Sequence, residues 1–99
     1  MRPIHLARME KTRPVVVLTR EPIRPFLNKV TVAAVTSTVR NTPTEVSVGR
    51  ENGLDHDSAV SCDNITTISV ADLGPQIGFL LDSQEDALVA AIHAAFDLD

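Results

Sequence analysis

The sequence predicts a mainly β protein with some α structure: a small barrel or strongly bent sheet of five or six short strands, followed by a C-terminal helix. Short β-branched runs recur along the first two thirds of the chain, and polar or glycine-containing turns separate them. Near Ser83 the apolar residues change from strand spacing to helix spacing. Because 99 residues provide enough apolar surface for one core, residues 1–99 are expected to form a single domain.

Two strands are predicted to be buried on both faces. Pro14 to Thr19 is apolar and β-branched at successive positions, and Pro14 stands at the strand start, where a missing N–H is tolerated. Val30 to Val35 has the same character. A shorter strand over Ile4 to Ala7 is predicted to precede both.

Three further strands are predicted in the middle of the chain. Apolar and polar residues alternate from Thr44 to Val48, as expected of a half-buried strand. Asn52-Gly53 then marks a turn. Ala59 to Cys62 and Ile65 to Val70 are predicted to be two separate strands.

The last predicted element is an amphipathic helix. Its apolar stripe consists of Leu88, Ala91, Ile92, Ala95 and Phe96. Ser83 is the predicted N-cap, with Asp82 as the alternative, and Glu85 and Asp86 favour the positive end of the helix dipole. Since so short a helix is not stable alone, the stripe is expected to seal the barrel or, less favoured, to meet a second subunit.

Charge is distributed unevenly along the chain. Residues 1–50 contain all 9 Lys and Arg residues and carry a net charge of +6, whereas residues 51–99 carry −10. This asymmetry suggests a basic face directed at phosphates with an acidic face behind it. The alternative is that the two halves interleave and neutralise each other.

Several kinds of protein and site are disfavoured. No apolar run approaches the roughly 18 residues of a membrane span, and residues 1–8 lack the continuous apolar stretch expected of a signal peptide. Cys62, the single cysteine, is expected to be a small buried hydrophobe, and a cytoplasmic location is expected. The histidines His5, His56 and His93 are scattered and the glycines form no phosphate loop, so neither a metal nor a cofactor is expected.

Two polar segments suggest a phosphate site. Lys11-Thr12-Arg13-Pro14 enters the first buried strand, and Thr36-Ser37-Thr38-Val39-Arg40 leaves the next. If these strands are antiparallel neighbours, Arg13 lies close to Thr36. An arginine fork and neighbouring hydroxyls can hold a phosphodiester and stabilise charge that develops on it. From these residues alone, however, a solvated sheet edge is the stronger alternative.

Four motifs follow one another along the chain. They are Arg13 to Leu18; Ala33 to Thr36 with Thr44 to Val46; Gly53 to Ile68, which contains the acid-amide pair Asp63-Asn64; and Gln76-Ile77-Gly78-x-Leu80 before the helix. In this order they resemble the MazF/PemK family of toxin endoribonucleases, over Ile4 to Leu98. The resemblance implies an SH3-like β-barrel of the CcdB/MazF/PemK type with a C-terminal helix, and a homodimer.

The resemblance also implies an activity. Members of this family are toxins of type II toxin–antitoxin systems, mRNA interferases that cleave single-stranded RNA without a metal and leave 2′,3′-cyclic phosphate and 5′-hydroxyl ends. The residues matched by Arg13 and Thr36 are catalytic in the family, and a MazE-like antitoxin is expected to cover the RNA groove. The expected RNA-binding residues are Lys11, Thr12, Ser37, Thr38, Arg40, Asp63 and Asn64. For Asp63 and Asn64 the equally favoured alternative is that they brace a turn. The general base is left unassigned.

The sequence departs from the family pattern at three places. The loop before Arg13 is short, as in an actinobacterial subgroup that this chain resembles. The family acid five residues before the arginine is replaced by Arg8, which makes Glu10 the candidate substitute. Thr66 stands where many members carry Arg or Lys.

Two alternative functions remain on the same fold. One is a CcdB-like toxin that binds gyrase without catalysis, but such proteins end in Trp-Gly-Ile and this chain contains no Trp. The other is a degenerate member that binds its antitoxin and no longer cleaves RNA.

Overall fold

The computed structural model describes residues 2–98, and the described part consists of six strands and one α-helix, with short 3-10 turns between them. The elements are β1 (Pro3–Arg8), β2 (Thr12–Val17), β3 (Lys29–Thr36), β4 (Glu45–Val48), β5 (Ser58–Ser69), β6 (Leu73–Phe79) and α1 (Asp82–Ala95). The strands form one antiparallel sheet in the order β4-β5-β3-β2-β1-β6. The predicted mainly β class with a C-terminal helix is confirmed.

The two strands predicted to be buried lie side by side in the middle of the sheet. β2 pairs with β3, and β2 begins two residues earlier than predicted. Val15 and Val17 belong to one buried cluster, whereas Val16, between them, belongs to another. Since alternate strand residues point to opposite faces, β2 is covered on both sides. All three valines are at most 1% exposed, as a central strand requires.

The prediction of two separate strands after the Asn52-Gly53 turn is wrong. β5 is one strand of twelve residues, with an irregularity in the middle. Ala33 pairs with Ile65 but the next residue, Ala34, pairs with Ser61, so the intervening residues of β5 bulge out of the ladder. The polar pair Asp63-Asn64 lies in this bulge, which is why the apolar pattern breaks there.

β6 was not predicted as a strand, and its sequence explains why. It contains Gly74, Pro75 and Gly78, residue types that are uncommon inside strands. An edge position tolerates them, because a proline there removes no ladder bond on its open side. β6 is paired through β1 alone within the described sheet.

The two edges of the sheet meet at Asn52. A 3-10 turn over Arg50–Asn52 follows β4, and the Asn52 side chain donates to the carbonyl of Phe79 at the end of β6, at 2.8 Å. Gly53 after it has φ 87°, as the predicted turn requires. A Cβ on Gly78 would lie 1.8 Å from the Asn52 carbonyl oxygen, so the backbones touch. The sheet therefore curls into the closed, barrel-like arrangement that the resemblance implies.

The helix packs against β4 and β5, but its ends differ from the predictions. Leu88 and Ala91 are 1% exposed and complete the core, whereas Phe96 is 55% exposed, so the predicted stripe is buried only in part. Both predicted N-caps are wrong: the helix begins at Asp82, and Leu81 occupies the cap position. The N–H of Leu81 donates to the side-chain oxygen of Gln84 at 2.9 Å. No helix within residues 2–98 is long and apolar enough to cross a bilayer.

Candidate active site

The register of β2 and β3 brings Arg13 and Thr36 together. The strands are antiparallel neighbours, which is the condition under which Arg13 is expected to lie close to Thr36, and Val15 pairs with Ala34. The pairing ends at Val15–Ala34, so the start of β2, with Arg13, and the end of β3, with Thr36, lie at the same end of the two strands. Arg13 and Thr36 line one common space there.

That space is a cleft of about 460 Å³, which we call the main cleft. Its walls are formed by Leu6, Lys11, Thr12, Arg13, Pro14, Val35, Thr36, Ser37, Thr38, Leu54, Asp55, His56 and Ser58. The cleft thus unites both polar segments singled out in the sequence. The wall made by residues 54–58 was missed, because only the folded chain brings this loop across from β2.

The guanidinium of Arg13 is uncommitted, by which we mean that its buried Nε and its charge have no partner among the described residues. Its Nε is buried and has no hydrogen-bond partner among residues 2–98, and none of those residues forms an ion pair with it. Arg2, in contrast, is paired with Glu85 at 3.2 Å. Buried donors are normally satisfied, so an unsatisfied one at a cleft suits a ligand with acceptor oxygens. The Nε of Arg24 is also buried and unpartnered, but Arg24 does not line the main cleft.

The hydroxyl of Thr36 is oriented by its own turn. Its Oγ1 accepts the backbone N–H of Thr38 at 3.1 Å. A hydroxyl that accepts one bond can still donate its proton to another group. Ser37 and Thr38 are exposed beside it and add further donors at the mouth of the cleft.

Arg13 also lines a second cleft, of about 370 Å³. The residues around this second cleft are Met9, Glu10, Arg13, Ala34, Asp63, Asn64, Ile65 and Thr66. Here the structure brings the predicted Glu10, Asp63 and Asn64 next to Arg13. Asp63 accepts a hydrogen bond from the Thr44 hydroxyl at 2.7 Å, which fixes one carboxylate oxygen.

Arg40 lies apart from the other predicted site residues. It lines neither cleft and its side chain is exposed. Its backbone N–H donates to a carboxylate oxygen of Glu45 at 3.0 Å, at the start of β4. The turn after Thr38 therefore carries Arg40 towards β4, a path that the sequence pattern did not indicate.

The electrostatics of the site are mixed. Asp55, from the acidic half of the chain, shares the main cleft with Lys11 and Arg13, so the two halves interleave there. Burial, and to a lesser degree the charge of Asp63, raises the pKa of the Cys62 thiol above its ordinary value. Cys62 is a buried free cysteine, in keeping with the prediction of a small buried hydrophobe. Within residues 2–98 no group of three or more His, Cys, Asp or Glu side chains is arranged to hold a metal ion.

The chain is similar to known proteins both in sequence and in fold. Residues 3–96 match the family described as "PemK-like, MazF-like toxin of type II toxin-antitoxin system". The chain is 62% identical over its 99 residues to a Mycobacterium tuberculosis protein named "Endoribonuclease MazF3", 96% of which is covered. The structure "Mycobacterium tuberculosis toxin MazF-mt6" superposes with a TM-score of 0.96 and 61% identity, over 98% of both chains. A mycobacterial "Endoribonuclease in complex with its cognate antitoxin", 21% identical, shares the fold with a TM-score of 0.87, over 98% of this chain and 93% of that one.

Proposed function

The chain belongs to the PemK-like, MazF-like toxin family, and from that premise we propose that it is an endoribonuclease toxin that cleaves single-stranded RNA without a metal ion. Full-length identity of 62% to a protein named an endoribonuclease supports RNA cleavage. The observation that carries the proposal is the uncommitted guanidinium of Arg13, beside Thr36 at an open cleft. Gyrase binding of the CcdB type is not favoured, because the family match is to PemK and MazF.

The proposed reaction is attack of a ribose 2′-oxygen on the adjacent phosphorus. Extra negative charge then develops on the non-bridging phosphate oxygens. Arg13 stabilises this charge with its guanidinium fork, and Thr36 donates its hydroxyl proton to one of those oxygens. The 5′-oxygen leaves, so the products carry a 2′,3′-cyclic phosphate and a 5′-hydroxyl. Since the nucleophile belongs to the substrate, the protein's task is to position and to stabilise.

The other cleft residues are assigned to holding the RNA. Lys11, Thr12, Ser37 and Thr38 supply a cation and hydroxyl donors around the main cleft, where the ribose-phosphate backbone would lie. The second cleft holds Glu10, Asp63 and Asn64, whose oxygens and amide suit the edge of an adjacent base. Arg13 lines both clefts and therefore stands where backbone and base recognition meet.

A type II toxin has an antitoxin as its partner, and a MazE-like protein that covers the main cleft is the partner that we assign to this chain. A homodimer belongs to the same proposal. The site of action that we assign to the toxin is the cytoplasm, where its RNA substrate lies.

The test is chemical analysis of cleavage products formed in the presence of EDTA. Purified protein is incubated with a long single-stranded RNA and, in parallel, with the same RNA carrying 2′-O-methyl groups. We expect cyclic-phosphate and 5′-hydroxyl ends from the unmodified RNA and no cleavage of the methylated one. Intact RNA in the presence of folded protein would identify a degenerate, non-cleaving member, and cleavage of the methylated RNA would contradict attack by the 2′-oxygen.

A further inference from the structure

His56 lies in the main cleft but has no role in the reaction as described so far. It belongs to the loop between Gly53 and β5 and lines the cleft together with Arg13 and Thr36. Attack by a 2′-hydroxyl requires a group that takes its proton, and a guanidinium, which stays protonated, is unsuited to that role. We propose that His56 is the general base of the reaction, an inference that rests on the proposed RNA cleavage.

The composition of the cleft wall supports this assignment. Among the described residues that line the main cleft, only Asp55 and His56 carry side chains that can accept a proton near neutral pH. A carboxylate is ordinarily a much weaker base than an imidazole, which changes charge between pH 5 and 8. General-base catalysis is most effective when the base titrates near the working pH. The imidazole is therefore the better candidate of the two.

The loop around His56 is anchored on both sides. Before it, Leu54 is 8% exposed and belongs to the core, and the Nε of Arg50 donates to the backbone carbonyl of Asp55 at 3.2 Å. After it, the hydroxyl of Ser58 donates to the backbone carbonyl of His56 at 3.1 Å. The main chain is thus held while the imidazole stays exposed to the cleft, the combination that a positioned base needs.

The charged groups around His56 come from three segments. Lys11 and Arg13 line the cleft from the β1–β2 turn and from β2, and the residues 36–38 that end β3 contribute only hydroxyls. Asp55 and Asp57 are its neighbours on the loop. A Cβ on Gly49 would lie 3.1 Å from a carboxylate oxygen of Asp57, so that carboxylate lies beside Gly49, directly after β4, and Asp57 does not line the main cleft. Within residues 2–98 His56 takes part in no ion pair, so its ring is free to accept a proton.

The proposed step balances as follows. A ring nitrogen of neutral His56 takes the proton of the 2′-hydroxyl while the 2′-oxygen forms a bond to phosphorus. The bond from phosphorus to the 5′-oxygen breaks, and that oxygen takes a proton from water, since the mouth of the cleft at Lys11, Thr12 and Ser37 is exposed. The imidazolium then releases its proton to solvent, which restores the free enzyme.

The test is a single-turnover pH–rate profile between pH 5 and 9, in EDTA, for wild type and two histidine variants. We expect the wild-type rate to rise with pH, because only the unprotonated imidazole can take the proton. His56→Gln should be slower by about 100-fold and lack this rise, because its amide cannot act as a base. His93→Gln, on the exposed side of α1 and outside the cleft, is the matched control and should behave as wild type.

Binding separates a base from a simple contact. The Kd of His56→Gln for 2′-O-methyl RNA should stay within a few-fold of wild type, and added imidazole should restore part of the rate. The assignment of His56 would be overturned if His56→Gln kept the wild-type rate and pH–rate profile, or if its rate fell only in proportion to its affinity for RNA. Either result would leave the proposed RNA cleavage intact. A wild-type protein that cleaves no RNA would overturn the proposed function as well.

Discussion

Asn52 holds the closed end of the barrel together, and replacing it with alanine tests that role. Its side chain is fully buried and takes part in four hydrogen bonds. Two of them join main-chain groups, the N–H of Gly49 at 3.0 Å and the carbonyl of Phe79 at 2.8 Å. The other two join the side-chain amide of Gln84 near the start of α1. One residue thus connects β4, β6 and the helix.

The expected loss in Asn52→Ala follows from the groups left behind. Each buried main-chain group that loses its partner costs about 1–3 kcal/mol. With two such groups, one of them only partly buried, we expect the free energy of unfolding to fall by about 3 kcal/mol. That is a large part of the roughly 5–15 kcal/mol that stabilises a domain of this size, and corresponds to a Tm lower by about 12–24 °C.

Far-UV circular dichroism during urea unfolding is the suitable measurement, since the chain has neither Trp nor Tyr for fluorescence. The midpoint should fall without a change in the slope of the transition, at one fixed protein concentration. Gln84→Ala is the control, because it leaves Asn52 paired with both of its main-chain groups. It also releases the N–H of Leu81 and the carbonyl of Ser47, but both of these bonds are exposed, so water can replace Gln84 there and the variant should cost only about 1 kcal/mol. The reasoning is refuted if Asn52→Ala costs no more than Gln84→Ala.

Three further results are expected. Gly78→Ala should destabilise the fold by at least about 3 kcal/mol in the same assay, since the new Cβ would lie 1.8 Å from a main-chain oxygen. In the control Gly49→Ala, the new Cβ would lie 3.1 Å from a carboxylate oxygen that can move, so the cost should be under about 1 kcal/mol. Burial raises the pKa of the Cys62 thiol above its ordinary value of 9.0. The stability that the neutral thiol contributes is therefore present below pH 9.0 and is lost as the pH rises further. In Cys62→Ala, the decline of the urea midpoint between pH 8 and 10 should be less steep than in wild type. Lys11→Ala should weaken binding of 2′-O-methyl RNA and lower the steepness of its salt dependence by about 0.7 in a log–log plot, and an unchanged slope would remove Lys11 from the phosphate contacts.

The central strands, and the place of Arg13 and Thr36 in one cleft, could be predicted because they follow from local pattern. A run of β-branched residues buried on both faces has few structural alternatives, and an antiparallel neighbour fixes which of its ends meet. This arrangement also places the basic segment at the start of β2 next to the hydroxyl groups at the end of β3, as the main cleft shows. The helix, whose spacing is equally regular, was also found, although its first residue was not.

The features that were missed depend on contacts distant in sequence. Asn52 was recognised only as part of a turn, because nothing near it shows that Phe79 and Gln84 will complete its hydrogen bonds. β6 could not be predicted as a strand because it contains two glycines and a proline, which are explained only by its place at the edge where the barrel closes. His56 reaches the main cleft because that closure fixes the loop after Gly53, so its place could not be read from its neighbours in the chain.

The central claim is that the uncommitted guanidinium of Arg13 stabilises the charge that develops on the scissile phosphate. It is tested most directly by the single-turnover rate of RNA cleavage, in EDTA, of Arg13→Ala beside Arg24→Ala. The buried Nε of Arg24 likewise has no hydrogen-bond partner in the described part of the chain. We predict a loss of about 100- to 1,000-fold for Arg13→Ala and a wild-type rate for Arg24→Ala. An Arg13→Ala protein that folds and cleaves at the wild-type rate would contradict the claim.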